Sequence, residues 1–197
     1  GSVGAVKTTL LRALLGLLPR TSGEILWNGA PVEDPASFFV PPRSAYTPQV
    51  PRLLSDTLRE NLVQGADVEE ERIRRALRQA VFEEDVARFE GGLDTPVGSR
   101  GVKLSGGQLQ RAAAARMRLR DAQLLVFDDL SSALDVNTEA TLWRLLEEHE
   151  RRTCLVVSHR RVALERASQI IVLQGGKVAQ IGTLEELEPT WEVLKGA

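Results

Sequence analysis

Two stretches near the middle of the chain combine residue types that could handle a phosphate and a metal ion. The first is Leu104-Ser105-Gly106-Gly107-Gln108, which leads into a basic helical run. A glycine-rich turn that opens a helix presents free backbone N–H groups and the positive end of the helix dipole, and both suit an anion. The second is Leu124-Leu125-Val126-Phe127-Asp128-Asp129, an apolar strand that delivers two carboxylates to its C-terminal end. In an open parallel sheet that is the edge where ligands bind. A Ser-Gly-Gly turn alone most often only reverses the chain. Paired with strand-end acids, it points to phosphate and a divalent cation.

A third stretch, Gly1-Ser2-Val3-Gly4-Ala5-Val6-Lys7-Thr8-Thr9, nearly matches the phosphate-binding pattern G-x-x-x-x-G-K-[ST]. Lys7 would reach the terminal phosphates and Thr8 would hold Mg²⁺. Leu10, Leu11, Leu14, Leu15 and Leu18 recur at helical spacing, and the pattern predicts a helix stopped by Pro19. The match has one break: Val6 stands where the second glycine is required. Glycine serves there because the backbone curls tightly and approaches the phosphate closely. If the position needs φ > 0, a β-branched residue costs about 1–3 kcal/mol of strain. Weakened nucleotide binding is the expectation. The chain has no initiator Met and starts inside this loop, so it reads as a piece of a longer protein.

The elements that must position these residues follow from periodicity and punctuation. Ser22 to Gly29 reads as a short strand ending in an Asn-Gly hairpin turn, residues 31–42 as a loop, and Ser44 to Thr47 as a strand. Gln49 follows between Pro48 and Pro51, in an irregular loop. Residues 56–120 are mostly helical: Glu69 to Arg78 and Phe82 to Phe89 carry apolar stripes through Ile73, Leu77, Val81, Val86 and Phe89. Residues 91–96 break the run. A helix over Gly106 to Arg120 carries Arg111, Arg116, Arg118 and Arg120, read as surface or interdomain contacts. Strands over Leu124 to Asp128, Thr153 to Ser158 and Gln169 to Leu173 alternate with helices over Thr138 to Glu150 and Val162 to Arg166. A further strand spans Lys177 to Ile181, and a capping box begins at Thr183. This alternation predicts an α/β fold with a parallel sheet and function at the strand C-termini, where Asp128, Asp129 and His159 stand.

Composition bounds the rest. A chain of 197 residues is one domain, or one with an inserted lobe. A net charge of −2 argues against a partner recognised by charge alone, nucleic acid or membrane surface. Cys154, the single cysteine, allows no internal disulfide. No apolar run is long enough to span a bilayer.

Taken in order, these residues resemble the nucleotide-binding domain of ATP-binding cassette (ABC) transporters. The resemblance covers essentially the whole chain. The Leu104-Ser105-Gly106-Gly107-Gln108 turn is the family's signature. It stands in family order with the phosphate loop, Gln49, Asp128, the Ser132-Ala133-Leu134-Asp135 turn and His159. Residues 92–98 and 55–61 resemble the exporter branch. The fold implied is a P-loop NTPase (RecA-like) core over residues 1–50 and 120–197, with a helical subdomain over 51–119 that carries the signature. The family's antiparallel β region before the phosphate loop, with its adenine-stacking aromatic, is missing.

The resemblance also implies roles. ATP would lie on Gly1, Ser2, Val3, Gly4, Ala5, Val6, Lys7, Thr8 and Thr9 together with Gln49 and His159, and His159 would contact its γ-phosphate. Thr8, Gln49 and Asp128 would place Mg²⁺. Asp129 stands where the family carries the Glu that orients the attacking water, and it is one methylene shorter. Lys7, Gln49, Asp129 and His159 are the catalytic set. Leu104, Ser105, Gly106, Gly107 and Gln108 would bind the ATP held by an opposing domain, and Asp135 would couple the two sites. The partners implied are a transmembrane domain and a second nucleotide-binding domain, with no nucleic acid. The location implied is the cytoplasmic face of the membrane. A second reading is a degenerate regulatory module with little hydrolysis, because of Val6 and Asp129. A third, an ABC protein of DNA repair, would carry a Cys cluster or sustained heptads, and neither is present.

Overall fold

The computed structural model describes residues 6–99, 101–130, 133–148 and 152–188. Helix α1 (Val6–Leu14) buries Leu11, and Leu15 beyond it is buried as well. Its end is set by Gly16 rather than by Pro19. Gly16 has φ +72, its N–H donates to Ala13 O at 3.2 Å, and the Leu17 N–H donates to Arg12 O at 2.8 Å. This pair of bonds around a left-handed residue closes a helix before a proline is needed. Val6 is the first residue of α1, so its backbone is helical and the φ > 0 strain considered above does not arise there.

Strands β1 (Leu26–Trp27) and β2 (Ala30–Pro31) form an antiparallel hairpin. Asn28 at φ 50 and Gly29 at φ 82 supply the two left-handed residues that its tight turn demands. The stretch expected to be loop contains a short helix, α2 (Pro35–Phe38). Its start was legible: Asp34 accepts from the N–H groups of Ala36 and Ser37, and Pro35 sits in the first turn. Trp27, Phe38 and Phe39 pack edge to face, with centroids 5.1 to 5.8 Å apart.

Strand β3 (Ser44–Thr47) is followed by α3 (Leu58–Val63), α4 (Glu70–Gln79), α5 (Glu83–Ala87) and a 3₁₀ turn, Gly92–Asp94. Ile73, Leu77 and Val86 are buried as the stripes predict, while Val81 and Phe89 are only half-buried. Val81 adopts φ 54 between α4 and α5 and so leaves the helical stripe. Helix α6 (Gly106–Leu119) presents Ala112, Ala113, Ala114, Ala115 and Met117 to the interior. These small side chains let it pack closely against α3 and α4. Strand β4 (Leu124–Asp128), α7 (Val136–Glu148), β5 (Thr153–Val157) and α8 (Arg161–Leu164) alternate as predicted. An antiparallel hairpin, β6 (Ile170–Gln174) and β7 (Lys177–Gly182), follows, and then a helix over 184–188. Thr183 and Glu186 close the expected capping box.

The chain divides into two compact units, Gly1–Val40 with Val156–Ala197, and Pro41–Leu155. The first has a core of Ile170, Val172 and Leu187, flanked by Leu164, Ala167 and Leu184. In the second, β3 and β4 pair in parallel, Ser44 with Leu124 through Thr47 with Phe127. The sheet order is β3-β4-β5, and the division between the units falls within β5. Leu125, Val126 and Phe127 are 0–1% exposed, and Phe127 meets Trp143 of α7 edge to face at 5.5 Å.

The loop after Gln49 is tied down by Asn61, which is 1% exposed. Its Oδ1 accepts from Leu54 N at 2.7 Å, and its Nδ2 donates to Leu54 O at 3.0 Å and Thr57 O at 2.9 Å. Asn61→Ala strips three bonds from a buried segment and is expected to cost about 2 kcal/mol. Denaturant melts check this; a loss below a few tenths of a kcal/mol would show the loop is held by other means.

Candidate functional site

Parallel pairing explains how the acids acquire neighbours. β3 and β4 run side by side and end together, so the residues just past Thr47 and Asp128 lie at one sheet edge. Gln49 Nε2 donates to Asp129 Oδ2 at 3.3 Å. Tyr46 pairs with Val126, so its side chain shares a face with Asp128, and its hydroxyl donates to Asp128 Oδ2 at 3.2 Å. Asp128 and Asp129 are 2% and 9% exposed. Asp129 adopts φ 53, a left-handed backbone that aspartate tolerates better than most residues. Tyr46 was not a candidate from the sequence; only the strand register reveals it.

The signature turn is held by a reciprocal cap. Ser105 Oγ accepts from Gln108 N at 3.3 Å, and Gln108 Oε1 accepts from Ser105 N at 2.9 Å. The two glycines that follow face Ala133. A Cβ on Gly106 would come within 3.2 Å of Ala133 Cβ, and one on Gly107 within 3.1 Å of Ala133 O. Gln110 Oε1 also accepts from Ala133 N at 3.1 Å. The signature helix and the Ala133–Asp135 segment therefore lie against each other, a contact that the sequence order alone did not disclose.

Arg111, Arg116 and Arg118 of α6, with Arg120 at its end, are half-buried and bond within the second unit, where surface or interdomain contacts were expected. Arg111 Nη2 pairs with Asp85 Oδ2 at 2.7 Å, Arg116 donates to Arg52 O at 3.2 Å, Arg118 to Gln79 Oε1 at 3.0 Å, and Arg120 to Val63 O at 3.2 Å.

Asp135 caps α7: its Oδ1 accepts from Asn137 N at 3.1 Å and Thr138 N at 3.0 Å, and its Oδ2 from Thr138 Oγ1 at 2.6 Å. The Thr138 hydroxyl, joined by the Thr138 and Asn137 amides, holds the Asp135 carboxyl below its ordinary 3.8. A depressed folded-state value stabilises the protein above the unfolded carboxylate range, and that contribution is lost as pH falls through the folded value. Asp135→Ala is therefore expected to lower the melting temperature at pH 7, by a margin that narrows as the pH falls through the folded-state value. A difference that persists unchanged in acid would rule out a charged cap.

In the first unit, Lys7, Thr8 and Thr9 occupy the opening turn of α1, and Lys7 and Thr8 are half-buried. His159 lies exposed between β5 and α8. Gly1, Ser2, Val3, Gly4, Ala5, Ser131 and Ser132 lie outside the described residues. Gln49, the signature, Asp128, Asp129 and Asp135 belong to the second unit. Among the described residues no group of three or more His, Cys, Asp or Glu side chains could cage a metal. A carboxylate, an amide and a hydroxyl are oxygen donors of the kind Mg²⁺ takes, and it completes its shell with water and phosphate oxygens. The residue types present fit that ion.

A helix-opening Lys-Thr pair, strand-end acids and a capped Ser-Gly-Gly turn define a class, nucleotide-binding P-loop domains. The family model described as "ABC transporter" matches residues 1–132. The chain belongs to the ABC transporter family. It is 36% identical over 189 residues to a probable multidrug resistance ABC transporter ATP-binding/permease protein, YheI, of Bacillus subtilis. It is 39% identical over 188 residues to an ATP-dependent lipid A-core flippase of Burkholderia orbicola. Each alignment covers 95% of this chain and 32% of the relative, so the chain spans about a third of the relatives' length. The structure of a bacterial Atm1-family ABC exporter with ATP bound superimposes with a TM-score of 0.89 at 30% identity, over 100% of this chain and 35% of the exporter. The fold is accordingly the P-loop NTPase fold, α/β with a parallel sheet.

Proposed function

We propose that this chain is the ATP-binding and ATP-hydrolysing domain of an exporter, acting as half of a head-to-tail pair that closes on ATP. The observation that carries the reading is the Gln49–Asp129 contact at 3.3 Å beside the buried Asp128, together with the capped signature turn. The ATP-binding/permease relatives support a transmembrane partner, in the same or another chain, on the cytoplasmic side of a cell membrane. Residues 1–50 and 120–197 act as the nucleotide-binding core, and residues 51–119 as the helical subdomain.

Residue by residue, Gly1 to Thr9 cradle the triphosphate, and the Lys7 ammonium neutralises its terminal charge. Thr8, Gln49 and Asp128 would hold Mg²⁺, which would supply charge neutralisation at the phosphates. Asp129, oriented by Gln49, positions water in line with the γ-phosphorus. The water oxygen forms the new P–O bond, the bridging bond to ADP breaks, and the water proton passes to a carboxylate or phosphate oxygen. His159 donates to the γ-phosphate as charge develops. Ser105, Gly106 and Gly107 close over the nucleotide of the opposing domain, and Asp135 couples the two.

Steady-state ATP hydrolysis tests the reading. The chain mixed with an intact partner domain is expected to turn over ATP, and Lys7→Ala to lose about a hundredfold or more. Hydrolysis insensitive to Lys7→Ala would overturn it. The specific observation favouring the degenerate module is Asp129, shorter than the family's Glu and held by Gln49. ATP binding without turnover would select it. Val6 is tested separately: with no backbone strain to relieve, only its side chain could keep the phosphate from a close approach, and on that ground Val6→Gly is expected to tighten ATP binding about tenfold by calorimetry, an affinity change of about 1.4 kcal/mol. Equal affinities would clear Val6 of any role.

A further inference from the structure

A half-buried ion pair, Asp85 with Arg111, lies behind the signature turn. Asp85, on α5, has a side chain 16% exposed, and Arg111, one turn into α6, has one 15% exposed. Asp85 Oδ2 accepts from Arg111 Nη2 at 2.7 Å, while Asp85 Oδ1 accepts from Gln108 Nε2 at 3.0 Å. Gln108 has only one other face. With its amino group committed to Asp85, its Oε1 must point the opposite way, and it accepts from Ser105 N at 2.9 Å. The carboxylate thus decides which way the Gln108 amide is turned. That choice decides whether the Ser105 N–H is bonded, and hence where the Ser105 backbone sits. Ser105 Oγ uses a lone pair to cap the helix, and its hydrogen remains to donate outward. Arg111 in turn is anchored on the helix that Gly106 and Gly107 begin.

We propose that Asp85 is a positioning residue for the signature turn: through Gln108 it sets the placement of Ser105, and so the ability of this turn to complete the nucleotide site of a second copy or a homologous domain. The inference rests on the head-to-tail reading for its consequence, but not for the placement itself. Asp85 bonds to Gln108 and Arg111 and acts on the turn through them. Its work is to hold one amide in one orientation. A flipped Gln108 would set its amino group against the Ser105 N–H, donor against donor, and open the turn.

The test separates the placement from its consequence. Amide hydrogen exchange is measured on the chain without nucleotide, in the native sequence, in Asp85→Ala, and in Asp85→Asn combined with Gln108→Glu. The double substitution reverses donor and acceptor across the same contact and keeps an acceptor for the Ser105 N–H. Asp85→Ala is expected to speed exchange at Ser105 and Gln108 about tenfold, the scale of losing one hydrogen bond to a charged group. The buried middle of α6 is expected to stay protected, and the double substitution to restore protection at Ser105. Unchanged exchange at Ser105, or loosening spread evenly over α6 that the double substitution does not rescue, overturns the proposal. ATP-driven pairing with an intact partner domain is then followed by sedimentation. The ATP concentration for half-pairing is expected to rise about tenfold in Asp85→Ala. If the native chain pairs and Asp85→Ala pairs equally well, the consequence claimed for Asp85 is wrong. If the native chain never pairs, the head-to-tail reading fails, while the exchange result still judges the placement of Ser105.

Discussion

Asp129→Glu is expected to raise the steady-state ATPase rate about ten- to a hundredfold. The attacking water must sit within hydrogen-bond reach of the group that orients it, and a misplacement of about 1 Å can cost a hundredfold. Aspartate is one methylene short of the family's residue at this position, and the 3.3 Å contact from Gln49 holds its carboxylate back at the sheet edge. The longer side chain carries the carboxylate outward past Gln49. Stability is expected to move the opposite way. The position has φ 53, where glutamate fits less well than aspartate, so the same substitution costs about 1 kcal/mol in denaturant unfolding. Asp129→Asn keeps the length, loses the charge, and is expected to lower any measured rate about a hundredfold. A Glu substitution that leaves turnover unchanged would mean that water placement does not limit this domain, and would shift the weight to Val6 and the phosphate loop.

Gly16→Ala is expected to be among the most damaging single substitutions in the first unit, at about 3 kcal/mol. Gly16 closes α1 with φ +72, a conformation that costs an L-residue about 1–2 kcal/mol. The added methyl would also lie 2.2 Å from Ala36 N, 2.6 Å from Ala36 Cα and 2.7 Å from Pro35 C. All three are backbone atoms of α2, which is pinned by its Asp34 cap, so the clash has no side-chain rotation to relieve it. For a chain of this length the loss corresponds to a fall of roughly 10 °C in melting temperature. Gly23, whose φ is +84 but whose Cβ would meet nothing within 4 Å, supplies the control. Gly23→Ala carries only the backbone term and is expected to cost about 1 kcal/mol. Equal losses at the two positions would show that the approach of α2 to Gly16 contributes nothing.

The local grammar of the chain was legible where one residue type has one physical use. The Asn28-Gly29 turn, the Thr183–Glu186 box and the strand over Leu124–Asp128 fall where predicted, because turn φ values, cap donors and apolar runs act over a few residues. The end of α1 was misread because two stop signals competed and Gly16 acts before Pro19 is reached. Helix α2 was overlooked although Asp34-Pro35 announces it, since four residues are too few to show periodicity. For the arginines of α6 the sequence points to surface or interdomain contacts, because charge alone does not say whether a carbonyl or an acid of the same unit lies within reach. Arg111 meets Asp85, which lies 26 positions earlier.

What the sequence determined by itself is the set of chemical parts and their order: Lys7 and Thr8, Gln49, the Ser105–Gln108 turn, Asp128 with Asp129, Asp135 and His159. Lys7 with Thr8, the Ser105–Gln108 turn and Asp128 with Asp129 suggest phosphate and metal chemistry by their residue types, while Gln49, Asp135 and His159 are picked out by the resemblance to ABC nucleotide-binding domains. Only the tertiary structure decided which of these parts constrain one another. Parallel pairing of β3 with β4 sets Gln49 against Asp129 and Tyr46 against Asp128. The meeting of α5 with α6 sets Asp85 behind the signature turn. Such contacts depend on strand register and helix packing. Those follow from burying apolar surface across the whole domain, a sum to which every residue contributes and which no short motif encodes.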